Sequence, residues 1–222
     1  MPANIVNLTV HGIGRPRRAL DPGEDESWVT VEQFEQVLDA VAGIENVRMT
    51  FDGGNASDVE IALPRLLERR LTAEFFLLAG FLGERGRVDR DGVHELVDAG
   101  MTIGSHGWSH SDWRLLDDRR ALQELSDAPE LLSELVGRPV RRVAVPHGAY
   151  DRRLLDRLRK AGATRVYTAD GGLAREFTWL QPRNSLRHDL DPTWINDVLA
   201  GGPGLYRSAT RTAARLVRLV RI

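Results

Sequence analysis

His106 and His110 are the side chains of this 222-residue chain best suited to bind a metal ion. They enclose the segment His106-Gly-Trp-Ser-His110, which follows a short apolar run predicted to form a strand. Histidines at this spacing share one face of a helical turn, so both imidazoles reach one ion. The spacing therefore predicts a metal clamp, with two ordinary surface histidines as the alternative.

The turn that begins at Asp52 is the second candidate for chemistry. It follows a predicted strand over residues 47–51, and Ser57 with Glu60 predicts a capped helix start. Asp52 would then lie where a strand passes into a helix, the end of an α/β sheet at which ligands collect. Beside a metal that lowers the pKa of bound water to ~7, its carboxylate is suited to act as general base. The alternative is a turn-forming acid without a catalytic role.

These residues need a scaffold that brings strand ends together, and the hydrophobic pattern predicts one. Repeated strand–helix units with short connections favour a parallel sheet, which about seven strands close or nearly close into a barrel. An open doubly wound sheet is the alternative that the pattern leaves open. The predicted strands are residues 5–10, 47–51, 72–79, 101–105, 140–145, 166–168 and 179–180. The predicted helices are residues 30–41, 57–70, 91–99, 117–136 and 151–161.

Polar residues that follow the strands should meet at one rim of this barrel, because parallel strands all point the same way. Their convergence predicts a functional site at that rim. The residues concerned are Asp52, His106, His110, Pro146, His147, Gly148, Asp170 and Arg183.

Three segments of the chain together resemble a known family. Thr-Phe-Asp-Gly-Gly at 50–54, Ser-His-Gly-Trp-Ser-His at 105–110 and Val-Pro-His-Gly-Ala-Tyr-Asp at 145–151 are similar to motifs of the polysaccharide deacetylases of carbohydrate esterase family four, the NodB homology domain. The resemblance implies a distorted (β/α) barrel and removal of acetyl groups from an acetylated saccharide. It also implies a divalent metal, with zinc first and cobalt, nickel or manganese as alternatives.

The same resemblance implies a role for several residues. Asp52 matches the catalytic base, and His106 and His110 match the two histidine ligands of the metal. Pro146, His147 and Gly148 are expected to shape the substrate pocket. Trp108 is expected either to stack on a sugar ring or to pack in the core.

Gly53 departs from the family pattern, in which a second acid supplies the third metal ligand. The open outcomes are weak metal binding with water in that position, recruitment of Asp52 as a ligand, or no bound metal. Asp58 is a conceivable replacement, although the first turn of a helix is its more ordinary place.

The arginine and the late histidine of the family also lack direct counterparts. Ala144 and Val145 stand where the arginine is expected, so we predict that Arg183 holds Asp52 ionised from the next strand, with a surface arginine as the alternative. For the histidine that acts as general acid, only His188 is available, and we predict against that role because the expected apolar flanks are missing.

Composition bounds the remaining classes of function. The formal net charge of −2 gives no reason to expect binding to nucleic acid, and the absence of cysteine rules out disulfides and thiolate ligands. No signal peptide and no run of roughly 20 apolar residues is recognisable, so a cytoplasmic location is expected.

We predict one barrel domain over residues 1–204 and a basic amphipathic helix over residues 205–222. Arginines recur in this tail at spacings of three and four among Leu, Val and Ile, with no acid. The favoured interpretation is a helix packed on the barrel, and the alternative is docking to an anionic membrane surface.

Three hypotheses for function follow from these patterns. The first is a metal-dependent deacetylase that uses Asp52, His106 and His110. The second is a relative that binds saccharide without turnover because Gly53 disables the metal site. The third is hydrolysis of another non-peptide C–N bond, such as that of a cyclic amide, on the same barrel.

Overall fold

The computed structural model describes residues 4–191 and 193–201. Its centre is a parallel sheet with the strand order β10-β8-β7-β6-β5-β4-β1-β11. The short strand β9 pairs antiparallel with β1, and β2 and β3 form a separate parallel pair. The strands are β1 (Asn4–Val10), β2 (Gly12–Ile13), β3 (Trp28–Val29), β4 (Val47–Asp52), β5 (Ala73–Leu77), β6 (Thr102–Ser105), β7 (Arg142–Ala144), β8 (Arg165–Thr168), β9 (Ala174–Arg175), β10 (Leu180–Pro182) and β11 (Asn184–Ser185).

The two edges of this sheet meet at Arg183. Strand β10 pairs with β8 at one edge and β11 pairs with β1 at the other, and only Arg183 separates them in the chain. Across the seam, the Asn7 amide donates to Gln181 Oε1 at 3.1 Å and to the Pro182 carbonyl at 3.0 Å. The sheet is therefore a nearly closed barrel, and the predicted distorted (β/α) barrel is confirmed.

Helices connect successive strands and cover the barrel. Two of them, α2 and α5, are entered through π-helical turns at Asp58–Ala62 and Gln123–Asp127, and each carries a proline at its start. Proline lacks the N–H that a regular helix interior uses, so the helix predicted over residues 117–136 is interrupted by a π turn just before Pro129. The helices are α1 (Val31–Val41), α2 (Leu63–Glu68), α3 (Arg90–Asp98), α4 (Asp118–Leu122), α5 (Ala128–Val136), α6 (Arg152–Lys160) and α7 (Trp194–Leu199).

The two predicted helix caps have different outcomes. Thr30 and Gln33 form the expected reciprocal capping box at the start of α1. The capping box predicted at Ser57 is wrong, because Ser57 makes no side-chain cap bond and its hydroxyl accepts from the backbone of Ile13 instead. This contact ties the loop after β4 to the loop after β1.

The predicted tail helix at 205–222 lies outside the described residues. Within the described part, none of the helices has the length and apolar run that crossing a bilayer requires.

The core beneath the rim contains stacked Phe51 and Phe75, whose ring centroids are 4.5 Å apart, with Phe34 packed edge-on at 6.0 Å from Phe51. These rings fix the strand that ends at Asp52.

Candidate active site

A buried ion pair joins Asp52, the last residue of β4, to Arg183 at the barrel seam. Arg183 Nη1 donates to Asp52 Oδ1 at 2.7 Å and Nη2 donates to Oδ2 at 2.6 Å. The side chains are 4% and 2% exposed, so the guanidinium meets the carboxylate face to face with little water around it. The structure thus places Arg183 where the sequence predicted a guanidinium for Asp52.

The ionisation of Asp52 depends on this contact. Burial by itself would raise the pKa of Asp52, but the charge of Arg183 and its hydrogen bonds outweigh burial and hold the pKa well below its usual range. Asp52 is therefore a carboxylate at any physiological pH. The same contact lowers its basicity, because a proton arriving on Asp52 must displace a guanidinium hydrogen bond.

His106 and His110 reach the same cleft from a loop after β6. The His106 Nδ1–H donates to the Ala144 carbonyl at 2.9 Å, which leaves Nε2 as the unprotonated nitrogen. The two ring centroids are 5.1 Å apart. The expected helical turn is wrong, because residues 106–110 form an irregular loop in which His110 has a φ of +57°.

Both imidazoles are held neutral. Burial lowers the pKa of His106 to about 4, partly opposed by the charge of Asp52. Burial, together with neighbouring His106 and His147, lowers the pKa of His110 to about 2. Neutral imidazoles offer lone pairs to a cation or to a proton, so these rings are chemically available in the cleft.

The cleft itself has a volume of about 590 Å³ and lies at the carboxyl ends of the strands. His147 and Gly148 line it, and His147 Nε2 lies 2.9 Å from the His110 carbonyl. Asp170 also lines it and accepts from the Tyr150 hydroxyl at 2.7 Å.

The other predicted contacts lie elsewhere. Pro146 is buried at the start of the short turn after β7, and Trp108 packs against the main hydrophobic core, so neither is among the described residues that line the cleft. His188 is tied to the Glu26 carbonyl outside the cleft. Asp58 is buried and accepts from the Asn55 backbone, and burial raises its pKa well above the usual range.

Glu124 organises the histidine loop and was missed from the sequence. Its 3% exposed carboxylate accepts from the backbone N–H groups of Trp108 and Ser109, the hydroxyls of Ser109 and Ser111, and the Trp113 indole. Glu124 lies in the π-helical turn between α4 and α5. A π turn re-aims side chains relative to a regular helix, and helical periodicity carries no sign of it.

Gly53 stands where the family has its third metal ligand, but its surroundings do not suit a metal-binding side chain. Its φ is +96°, and a Cβ built there would lie 3.2 Å from Arg87 Nη1. Arg87 Nη1 already donates to the Gly53 carbonyl at 3.0 Å. A side chain at Gly53 would start in a left-handed backbone conformation and beside a guanidinium.

The residues present do not complete a three-ligand metal site. Among the described residues, no group of three or more His, Asp or Glu side chains is arranged to hold a metal ion. His106 and His110 offer two nitrogens, whereas both Asp52 oxygens are engaged by Arg183. A catalytic zinc site needs three protein ligands and an open position.

Comparisons with known proteins agree with this fold. A family model described as polysaccharide deacetylase matches residues 41–166. A curated peptidoglycan-N-acetylglucosamine deacetylase from Bacillus cereus is 27% identical over 128 residues, which are 55% of this chain and 44% of that protein. The chain thus spans less than half the length of the curated relatives that it matches.

Two solved structures extend the likeness over most of the chain. The Streptococcus pyogenes deacetylase PplD, solved with acetate, has a TM-score of 0.77 at 18% identity and covers 92% of this chain and 100% of its own. A polysaccharide deacetylase from Bacillus cereus has a TM-score of 0.78 at 18% identity and covers 89% of this chain and 69% of its own. At such low identity these similarities show a shared fold.

Proposed function

Because the chain belongs to the polysaccharide deacetylase family, we propose that it hydrolyses acetyl groups from an N- or O-acetylated saccharide. The observation that carries the proposal is the convergence of a buried ionised Asp52 with neutral His106 and His110 in one cleft at the carboxyl ends of the strands. A saccharide of one or two sugar rings suits a cleft of this kind.

In the proposed reaction, Asp52 accepts the proton of the attacking water, and Arg183 fixes the carboxylate in one orientation. The low basicity of paired Asp52 makes this transfer demanding, so the water must be polarised by its other neighbours in the cleft. His106 is oriented by its bond to Ala144, and its free Nε2 is positioned to receive a hydrogen bond from water or substrate.

Deacetylases of this family generally depend on a divalent metal, and the donor set here lacks the third ligand. This observation favours a second candidate function, in which the cleft binds acetylated saccharide without turnover. The two candidates share the fold and the cleft and differ only in whether acetate is released.

Acetate release from N-acetylglucosamine oligomers and from acetylated xylan tests the proposal, with metal content measured on the same preparation. We expect release by the native protein and a loss of about a hundredfold or more in Asp52→Asn, the usual contribution of a general base. An exchange at the far end of the barrel, Arg141→Gln, is the control. Saccharide binding without acetate release, with or without added zinc, would support the second candidate.

A further inference from the structure

A second cavity, of about 1260 Å³, lies beside the cleft and is rich in arginine. Arg15, Arg17, Arg18 and Arg85 line it, together with Trp28 and small residues of the loop after β4. We call it the arginine cavity. Nothing in the proposed deacetylation uses it.

The arginine cavity carries an excess of positive charge. Arg17 is paired with Glu60 at 2.7 Å, and Arg18 is paired with Glu24. Arg15 and Arg85 form no ion pair within the described residues, and both are exposed. The lining therefore presents two exposed guanidiniums that form no ion pair within the described residues.

Arg87, behind the lining, reports the same crowding of charge. Burial, then the proximity of Arg18, lowers the pKa of Arg87 to about 10. Its Nη1 is occupied by the Gly53 carbonyl and the Asn55 side chain.

One residue separates the arginine cavity from the cleft. Asn55 lines the cavity and accepts from Arg18 Nε at 2.9 Å, while its amide donates to the carbonyl of His11, which lines the cleft. The ion pair of Arg18 with Glu24 crosses the same wall, because Glu24 lines the cleft. The arginine cavity and the cleft are therefore neighbours that share this hydrogen-bonded wall.

We propose that the arginine cavity binds an anionic group of the saccharide that the cleft deacetylates, so that the substrate class is an acidic acetylated saccharide. The shared chemistry is an oxyanion with paired acceptor oxygens, either a phosphate or a uronate carboxylate, which planar guanidiniums recognise. The assignment of the anion to the substrate rests on the proposed function.

Binding measurements test this inference independently of catalytic turnover. In the Asp52→Asn background, which removes the proposed base and whose retained fold is verified first by urea unfolding, binding is measured for a hyaluronan tetrasaccharide, N-acetylglucosamine 1-phosphate and neutral chitotetraose. The same measurements on the native protein serve as the reference. We expect Arg15→Gln/Arg85→Gln to weaken binding of the charged probes by about tenfold, equivalent to about 1.4 kcal/mol. Chitotetraose binding should not change. Loss for only one charged probe identifies the anion as carboxylate or phosphate.

Arg70→Gln/Arg141→Gln is the matched control, since it removes two exposed arginines that precede β5 and β7 at the opposite end of the barrel. Arg15→Lys/Arg85→Lys retains the charge and should restore part of the affinity. Unchanged affinity for both charged probes in Arg15→Gln/Arg85→Gln would overturn the proposal, as would an equal loss in the control. Acetate release by the native protein is scored separately, so failure of the enzymatic function is not confused with failure of anion binding.

Discussion

Replacement of Arg183 by Gln should destabilise the protein strongly and invert part of its pH dependence. The ion pair is bidentate, at 2.7 and 2.6 Å, and both side chains are almost fully buried. Removing one partner leaves an unpaired buried carboxylate, which costs about 3–5 kcal/mol of unfolding free energy. For a protein of this size, that loss corresponds to a fall of roughly 10 °C in Tm.

The sign of the pH dependence follows from the pKa of Asp52. In the native protein Arg183 holds that pKa below its unfolded value, so the pair stabilises fully above the ordinary carboxylate range and less as pH falls. In Arg183→Gln the guanidinium no longer offsets burial, the largest influence on Asp52, so the folded pKa is expected to rise above the unfolded one. The penalty is then present at neutral pH and shrinks on acidification, by at most about 1.4 kcal/mol per pH unit.

Urea unfolding at neutral pH and at about pH 4 measures both the loss of unfolding free energy and its dependence on pH. Asp52→Asn/Arg183→Gln serves as the control, because it removes the buried charge along with its partner and should be less destabilised than Arg183→Gln. A loss of under about 1 kcal/mol in Arg183→Gln, or a difference from the native protein that does not shrink in acid, would refute the reasoning.

Other substitutions test the loop and the turn. Glu124→Gln turns an amide N–H₂ towards several N–H and O–H donors and should cost about 2 kcal/mol in urea unfolding, with loss of acetate release. Gly53→Asp should not create a zinc site by equilibrium dialysis, because its carboxylate starts beside Arg87 and its backbone bears left-handed strain of about 1–2 kcal/mol. When acetate release is compared under conditions in which both variants are equally folded, Asp52→Asn should lower it far more than Glu124→Gln does.

Each of these expectations has an outcome that contradicts it. Glu124→Gln with native stability would show that its hydrogen bonds do not hold the histidine loop, and Glu124→Ala is the companion that removes the group entirely. Stoichiometric zinc in Gly53→Asp would show that the introduced acid escapes Arg87. Full acetate release by Asp52→Asn would remove Asp52 from the chemistry, with Arg141→Gln as the activity control.

The barrel was predictable because its signals are local and repeated. The apolar run around Phe75 and Phe76 predicts a strand buried on both faces, and glycine and proline mark most helix ends. The resemblance of three short segments then distinguished a barrel from an open sheet, which periodicity alone had left unresolved. The cap at Ser57 failed because a tertiary contact with Ile13 took the hydroxyl.

The site was only partly predictable. The pairing of Asp52 with Arg183 joins residues 131 apart in the chain, and it was foreseeable because both follow strands that end at the same rim. Glu124 gave no signal, since a lone acid in an amphipathic helix ordinarily faces solvent. The shape of the loop from His106 to His110 was also hidden, because one of its two residues with positive φ is a histidine, His110, and the other is Gly107.

The position of Arg183 links the proposed chemistry of the cleft to the closure of the barrel. Its backbone is the single link between β10 and β11, and its side chain binds Asp52 at the end of β4, two strands from β11 in the sheet. The seam of the barrel is therefore also where Asp52, the proposed base, is held. Amide exchange at residues 180–185 should accelerate when the ion pair between Asp52 and Arg183 is weakened. A ligand that competes with Arg183 for Asp52 should therefore increase amide exchange at the seam between β10 and β11.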